Sequence, residues 1–197
     1  MIGIIDVGGG ERGIYGAGVL DYCLKYDIRF DYHIGVSAGA ANLSSYLAGQ
    51  SSRNFTFYTD YSFRKEYMSL HQYLKTGNYI NLDYIYSTLS NSDGENPLNF
   101  PAIQASGKIF KIVATDAETG DPIYFGMEDL AQDQYDAIKA SSCVPGVNKP
   151  YPIGDKLCYD GGMSDPVPVK KALEDGCDKV VVILTRPVNQ LRDPKKD

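Results

Sequence analysis

Ile2, Ile4 and Ile5 form a short β-branched run that ends at Asp6, and three consecutive glycines, Gly8 to Gly10, then break regular structure. Apolar positions next recur at three- and four-residue intervals, at Ala17, Leu20, Cys23 and Leu24. That spacing predicts a helix over residues 15–26. A second strand, over 32–36, runs into Ser37. Ala40, Leu43 and Leu47 then share one face of a second helix, with Gly49 as its C-terminal cap. Two successive strand–turn–helix units predict an α/β sheet with parallel strands.

Residues 51–105 change character. Seven tyrosines lie between Tyr58 and Tyr86, with Phe55, Phe57 and Phe63 nearby. The pattern predicts helices near 64–75 and 82–90, the second opened by Asn81, followed by a loop at Asn91–Gly94. Two readings fit and are compatible: an amphipathic helical insertion packed on the sheet, or an aromatic lid over an apolar substrate. The α/β pattern then resumes. Residues 108–115 read as a strand, 116–122 as a turn, 123–125 as an antiparallel strand and 130–140 as a helix. A short strand over 156–159 arrives at Asp160. Pro166 and Pro168 open a helix through Glu174. The wholly apolar run Val180–Leu184 predicts a buried parallel strand, and the polar tail RDPKKD a frayed end.

A length of 197 residues points to one domain with a sizeable core. The formal net charge of −6 argues against a nucleic-acid partner. Cys23, Cys143, Cys158 and Cys177 contain no CxxC pair, so neither a zinc site nor a redox motif is expected, and the thiols read as buried ones in a reducing compartment. The N-terminus lacks the basic region of a signal peptide, and no apolar run is long enough to span a membrane. A soluble, cytoplasmic protein is expected.

Three glycine-containing sites carry candidate chemistry. Gly35-Val36-Ser37-Ala38-Gly39 is a G-x-S-x-G between a strand and a helix. There a serine sits on a sharp turn, and the helix N-terminus favours developing negative charge. Gly8–Gly13 (GGGERG) also follows a strand and precedes a helix. It fits the dinucleotide pattern G-x-G-x-x-G, or a loop whose exposed N–H groups form an oxyanion hole. Asp31 lies near the distance at which the dinucleotide reading needs an acid, but it begins the second strand instead of ending it, which disfavours that reading. Asp160-Gly161-Gly162 is a turn, or a carboxylate presented next to Ser37. Of the two histidines, His33 reads as a packing residue and His71 as a surface one. None follows residue 71, so a nucleophilic Ser37 would need a carboxylate as its base.

The ordered motifs G-G-G-x-R-G at 8–13, G-V-S-A-G at 35–39 and D-G-G at 160–162 resemble those of the patatin-like phospholipases, in particular the small bacterial ones. The likeness extends through IGVSAGAANLSSYLAGQ, LKTGNYINLDYIY and KASSCVPG to nearly the whole chain. It implies a three-layer α/β/α fold with a mostly parallel sheet, one domain over 1–197, and residues 51–105 as a helical insertion or lid. Relatives usually continue beyond the point where this chain stops. The resemblance further implies a Ser–Asp dyad of Ser37 as nucleophile and Asp160 as general base. Gly8, Gly9 and Gly10 would supply the oxyanion hole, and Arg12, Gly13, Gly35, Gly39, Gly161 and Gly162 would support the motifs. The implied activity is hydrolysis of lipid acyl esters without metal or cofactor, with peripheral membrane contact. A non-catalytic lipid- or acyl-binding module, and acyl transfer to an acceptor other than water, stay open as alternatives.

Overall fold

Four strands pair in parallel in the order β7-β1-β2-β3: Ile2–Asp6 (β1), Tyr32–Val36 (β2), Ile109–Asp116 (β3) and Lys179–Ile183 (β7). They are seen in a computed structural model that describes residues 1–187 and Asn189. Pro122–Phe125 (β4), Tyr151–Ile153 (β5) and Lys156–Asp160 (β6) add an antiparallel end. Side chains alternate across the sheet. Ile4, Phe110, Ile112 and Ala114 face one core with helices Ile14–Lys25 (α1), Ala38–Leu47 (α2), Phe100–Ala105 (α5) and Asp136–Ser141 (α6). Ile5, Ile34, Val36 and Val113 face the other, covered by Ala172 of Val169–Glu174 (α7). This is the expected α/β/α layering, and its period of two is what a sheet covered on both faces requires.

The register of β3 sets the position of everything that follows. Its residues Ile112–Val113 pair with both β2 and β4, and Ala114–Thr115 with both β4 and β6. β4 therefore takes one edge of β3, while β2 and β6 lie end to end along the other. β2 finishes with Val36 opposite Val113, and β6 finishes with Asp160 opposite Ala114.

Between α2 and β3 lie α5 and two further helices, Arg53–Thr59 (α3) and Leu70–Thr76 (α4). Phe57, Tyr61, Ile85 and Leu89 build a small core of their own within this segment. Buried Arg53 ties it together, donating to Ser45 and Ser90 Oγ at 3.1 and 2.9 Å and to the Asn96 carbonyl at 3.0 Å. The helix expected at 64–75 forms only from Leu70, because residues 67–69 are drawn out to pair with 79–81. The one expected at 82–90 widens into a π-helical turn at Tyr84–Thr88, and α3 was not anticipated. The helix expected at 130–140 starts only at Asp136, since Ala131 and Gln134 close a tight turn around Asp133 at φ 64°. β5 was not anticipated either. β7 is parallel as expected but not buried on both faces. Among the described residues it pairs only with β1, at the end of the sheet, and Val181 is 44% exposed. The tail RDPKKD lies outside the described residues.

β1 and α2 approach each other very closely. A Cβ on Gly39 would stand 2.1 Å from the Asp6 carbonyl oxygen, and one on Gly35 2.4 Å from Ala40 Cα. The Asp6 side chain is fully buried beside them. It accepts from the Gly8 N–H at 3.0 Å and from Asn42 Nδ2 at 2.9 Å, and no cation pairs with it among the described residues. Burial pushes its pKa up to about 6. His33, also buried, donates Nδ1–H to the Ile109 carbonyl at 3.1 Å and packs on Phe30 and Tyr46. Burial pulls its pKa down to about 4, which suits the packing role expected of it.

Two outcomes are expected. Gly39→Ala destabilises by at least ~3 kcal/mol, since the clash is with backbone. Gly49→Ala, at φ 69° with open space around it, costs only about 1 kcal/mol. Urea titrations of both variants measure the contrast, and equal losses would refute the crowding argument. The second concerns pH. Between about pH 4 and 6 the folded state holds a proton on Asp6 that the unfolded chain has released, so this group's contribution to stability falls as pH rises, by roughly 3 kcal/mol in all. His33 acts oppositely in nearly the same window, because the unfolded chain binds its proton first. The wild-type profile is thus flatter than either group alone dictates, and Asp6→Asn makes stability climb more steeply with pH. Parallel profiles for the two proteins would contradict this.

Candidate active site

Ser37 sits between β2 and α2 at φ 56° and ψ −132°, a conformation non-glycine residues rarely adopt. Such a residue costs on the order of 1–3 kcal/mol and persists only where its surroundings fix it. Here the fixing groups are visible. The Ser37 N–H donates to Ser141 Oγ at 2.8 Å, and its carbonyl accepts from the Ala40 N–H at 2.9 Å. The missing side chains of Gly35 and Gly39 make room for the turn.

Asp160 arrives at the same place along the β3 edge. Its N–H donates to the Cys143 carbonyl at 2.8 Å, its carbonyl accepts from Thr115 Oγ1 at 2.8 Å, and its carboxylate accepts from the Gly162 N–H at 2.8 Å. Gly161 packs so tightly on β3 that a Cβ would stand 2.2 Å from the Val113 carbonyl oxygen. Burial raises the Asp160 pKa. The Ser37 hydroxyl and the Gly162 N–H, both close to the carboxyl, lower it without cancelling the rise.

The glycine loop lies on the other side of Ser37, with Gly8, Gly9 and Gly10 all at positive φ. The three are not equivalent. Gly8 gives its N–H to Asp6, its carbonyl accepts from Thr185 Oγ1 at 2.6 Å, and a Cβ there would stand 2.3 Å from the Val36 carbonyl oxygen. No group among the described residues takes the N–H of Gly9 or Gly10. The Arg12 guanidinium lies against Gly9. Gly13 gives its carbonyl to Asn42 Nδ2 at 2.9 Å, and Tyr58 donates its hydroxyl to Asn42 Oδ1 at 3.1 Å. Asn42 therefore joins the loop, β1 and α3.

A cavity of about 100 Å³ begins at Gly10, Glu11 and Ser37 and runs between α2 and the aromatic segment, with Phe57, Tyr67, Met68, Ile85 and Tyr86 among its walls. Its lining is mainly apolar, which suits a hydrocarbon chain. Among the described residues no three His, Cys, Asp or Glu side chains gather as a metal site would need. Neither histidine enters the site: His33 is in the sheet core and His71 is exposed on α4. Sequence reading missed Asn42, Tyr58, Ser141 and Asp6 as parts of this site. Asn42 alone left a trace, as a polar residue beside the apolar stripe of α2.

Comparison with known proteins bears on the family and the fold. The patatin-like phospholipase family matches residues 7–173. The uncharacterized protein YjjU of Escherichia coli is 33% identical over 199 aligned positions, covering 98% of this chain and 54% of that protein. The crystal structure of VipD from Legionella pneumophila superposes with a TM-score of 0.60 at 14% identity, covering 91% of this chain and 49% of that one, a likeness of fold. The chain thus spans about half the length of both. A family match over most of the sequence, with the fold to go with it, makes this chain a member of the patatin-like phospholipase family.

Proposed function

We propose that the protein is a lipid acyl-ester hydrolase that works through a dyad of Ser37 and Asp160. The observation that carries the reading is the end-to-end placement of β2 and β6 on one edge of β3. It brings a strained serine beside a buried carboxylate, and the serine lines an apolar cavity. Asp160 takes the hydroxyl proton as Ser37 Oγ bonds to the ester carbonyl carbon. The carbonyl π electrons move onto oxygen, where the free N–H groups of Gly9 and Gly10 and the N-terminal end of α2 meet the new charge. Gly8 acts by holding the loop, its own N–H being committed to Asp6. Collapse breaks the bond to the leaving alcohol, which receives the proton from Asp160. Water, deprotonated by Asp160, then bonds to the acyl carbon, and the bond to Ser37 Oγ breaks as Asp160 returns the proton to the serine, releasing the fatty acid. The raised pKa of Asp160, caused by its burial, makes it a better base than an ordinary carboxylate.

In this reading residues 51–105 wall the acyl chain, Arg12 braces the loop, and the substrate is a lipid met at a membrane surface. Four buried, unpaired cysteines support a cytoplasmic setting.

A fluorophosphonate probe should label Ser37, as mapped by mass spectrometry, and label far more slowly in Asp160→Asn. Ser37→Ala should lose at least ~10³-fold in turnover of a soluble short-chain ester while keeping the wild-type melting transition. Folded protein that neither labels nor turns over would leave acyl binding without catalysis. The kcat/KM profile should fall on acidification, as Asp160 gains its proton, with a midpoint above the usual carboxylate value of about 4. A midpoint at or below that value would remove Asp160 from the role.

A further inference from the structure

Helix α4 is amphipathic in the wrong sense for a protein surrounded by water. It buries no residue. Its polar side chains, His71, Gln72, Lys75 and Thr76, line a groove on the protein's own surface. Its apolar stripe, Leu70, Tyr73 and Leu74 at i, i+3 and i+4, is not part of that groove's lining, with Leu70 65% and Leu74 77% exposed. A surface helix normally turns such a stripe inward. Phe63, seven residues before the helix, is 82% exposed. The arm that carries α4 is nevertheless well built. Ser69 N–H donates to the Tyr79 carbonyl at 3.2 Å and Asn81 N–H to the Tyr67 carbonyl at 2.8 Å. The Tyr79 N–H donates to the Val147 carbonyl at 2.9 Å, and Asn148 bonds both the N–H and the carbonyl of Ile80. Ser69 caps the helix N-terminus and Gly77, at φ 81°, closes its C-terminus.

We propose that α4 is the element by which this protein seats itself on an anionic lipid surface, its leucines and tyrosine entering the interface and the lysines of the adjoining groove meeting lipid phosphates. The charge supports that occupant. Although the chain carries −6 overall, the groove gathers Lys65, Lys75 and Lys149, all exposed and without an acidic partner among the described residues. Of its two acids, Glu66 and Asp83, the latter is neutralised by Lys139 at 2.7 Å. Exposed leucine and aromatic side chains beside unpaired lysines are what interfacial binding requires. The connection to the site supports a lipid over a protein partner. Met68 and Ile80, bridged across the base of the arm, are also walls of the cavity that starts at Ser37. A surface that holds α4 thus lies beside a wall of the cavity that would take an acyl chain. The inference deepens the hydrolase reading and rests on it for its biological sense, but docking itself needs no turnover.

The test is sedimentation with vesicles of phosphatidylcholine mixed with phosphatidylglycerol, and of phosphatidylcholine alone, using Ser37→Ala so that no lipid is consumed. Binding should favour the mixed vesicles and weaken as salt is added. Leu70→Asp and Leu74→Asp should each cost roughly tenfold in vesicle affinity. Lys75→Gln and Lys149→Gln should each cost about fivefold. Melting transitions and soluble-ester turnover, measured with Ser37 intact, should stay near wild type in the leucine variants, separating docking from chemistry. No vesicle binding, or binding that ignores the leucines or the phosphatidylglycerol, overturns the proposal. So does a dimer in analytical ultracentrifugation that Leu74→Asp dissociates, since a second copy would then cover the stripe. Vesicle binding without soluble-ester turnover by the protein with Ser37 intact would leave the docking inference standing and remove the hydrolase reading. Turnover without vesicle binding would do the reverse.

Discussion

The contact between Asp6 and the first turn of α2 is the constraint on which the site depends. The Asp6 carbonyl comes so near Gly39 that no side chain fits between them, and the Asp6 carboxylate holds Gly8 and Asn42 at once. One residue at the end of β1 therefore fixes the distance from strand to helix and the path of the glycine loop across the top. A buried carboxylate without a cationic partner is an expensive way to do this. Its two acceptor oxygens nonetheless match two donors that would otherwise be buried and unsatisfied. Asn42 extends the same lock through the Gly13 carbonyl and the Tyr58 hydroxyl, so the aromatic segment is registered against the loop as well.

Much of the fold was legible because its signals are local. β1, β2 and α1 follow from β-branched runs and three- to four-residue spacing, and the turn at Ser37 from glycines at fixed offsets. The elements that escaped are those whose form is decided by partners far along the chain. Residues 67–69 are drawn out by pairing with 79–81, α6 is shortened by a turn at Asp133, and Val180–Leu184 reads as a buried run although the strand lies at the end of the sheet. The 51–105 segment showed its aromatic content but not how it packs, since tyrosines follow no single period.

The candidate site divides in the same way. Ser37, Asp160 and the three glycines stand in motifs that can be read in one dimension. Ser141, which fixes the backbone of Ser37, does not, because its partner is 104 residues away and a serine closing a short helix carries no special pattern. The unequal roles of the glycines were hidden for a related reason: which N–H remains free depends on where a carboxylate two residues earlier turns its oxygens.

The small core formed by Phe57, Tyr61, Ile85 and Leu89 is separate from the two cores that hold the sheet. Ser37 and Asp160 are positioned by the sheet, whereas the cavity is walled largely by the segment that carries this third core. On the hydrolase reading proposed above, chemistry and chain selectivity are thus assigned to different parts of the molecule. Substitutions that reshape the aromatic walls would then alter which tail fits while leaving Ser37 and Asp160 in place, so a lineage would change its lipid preference without rebuilding the dyad.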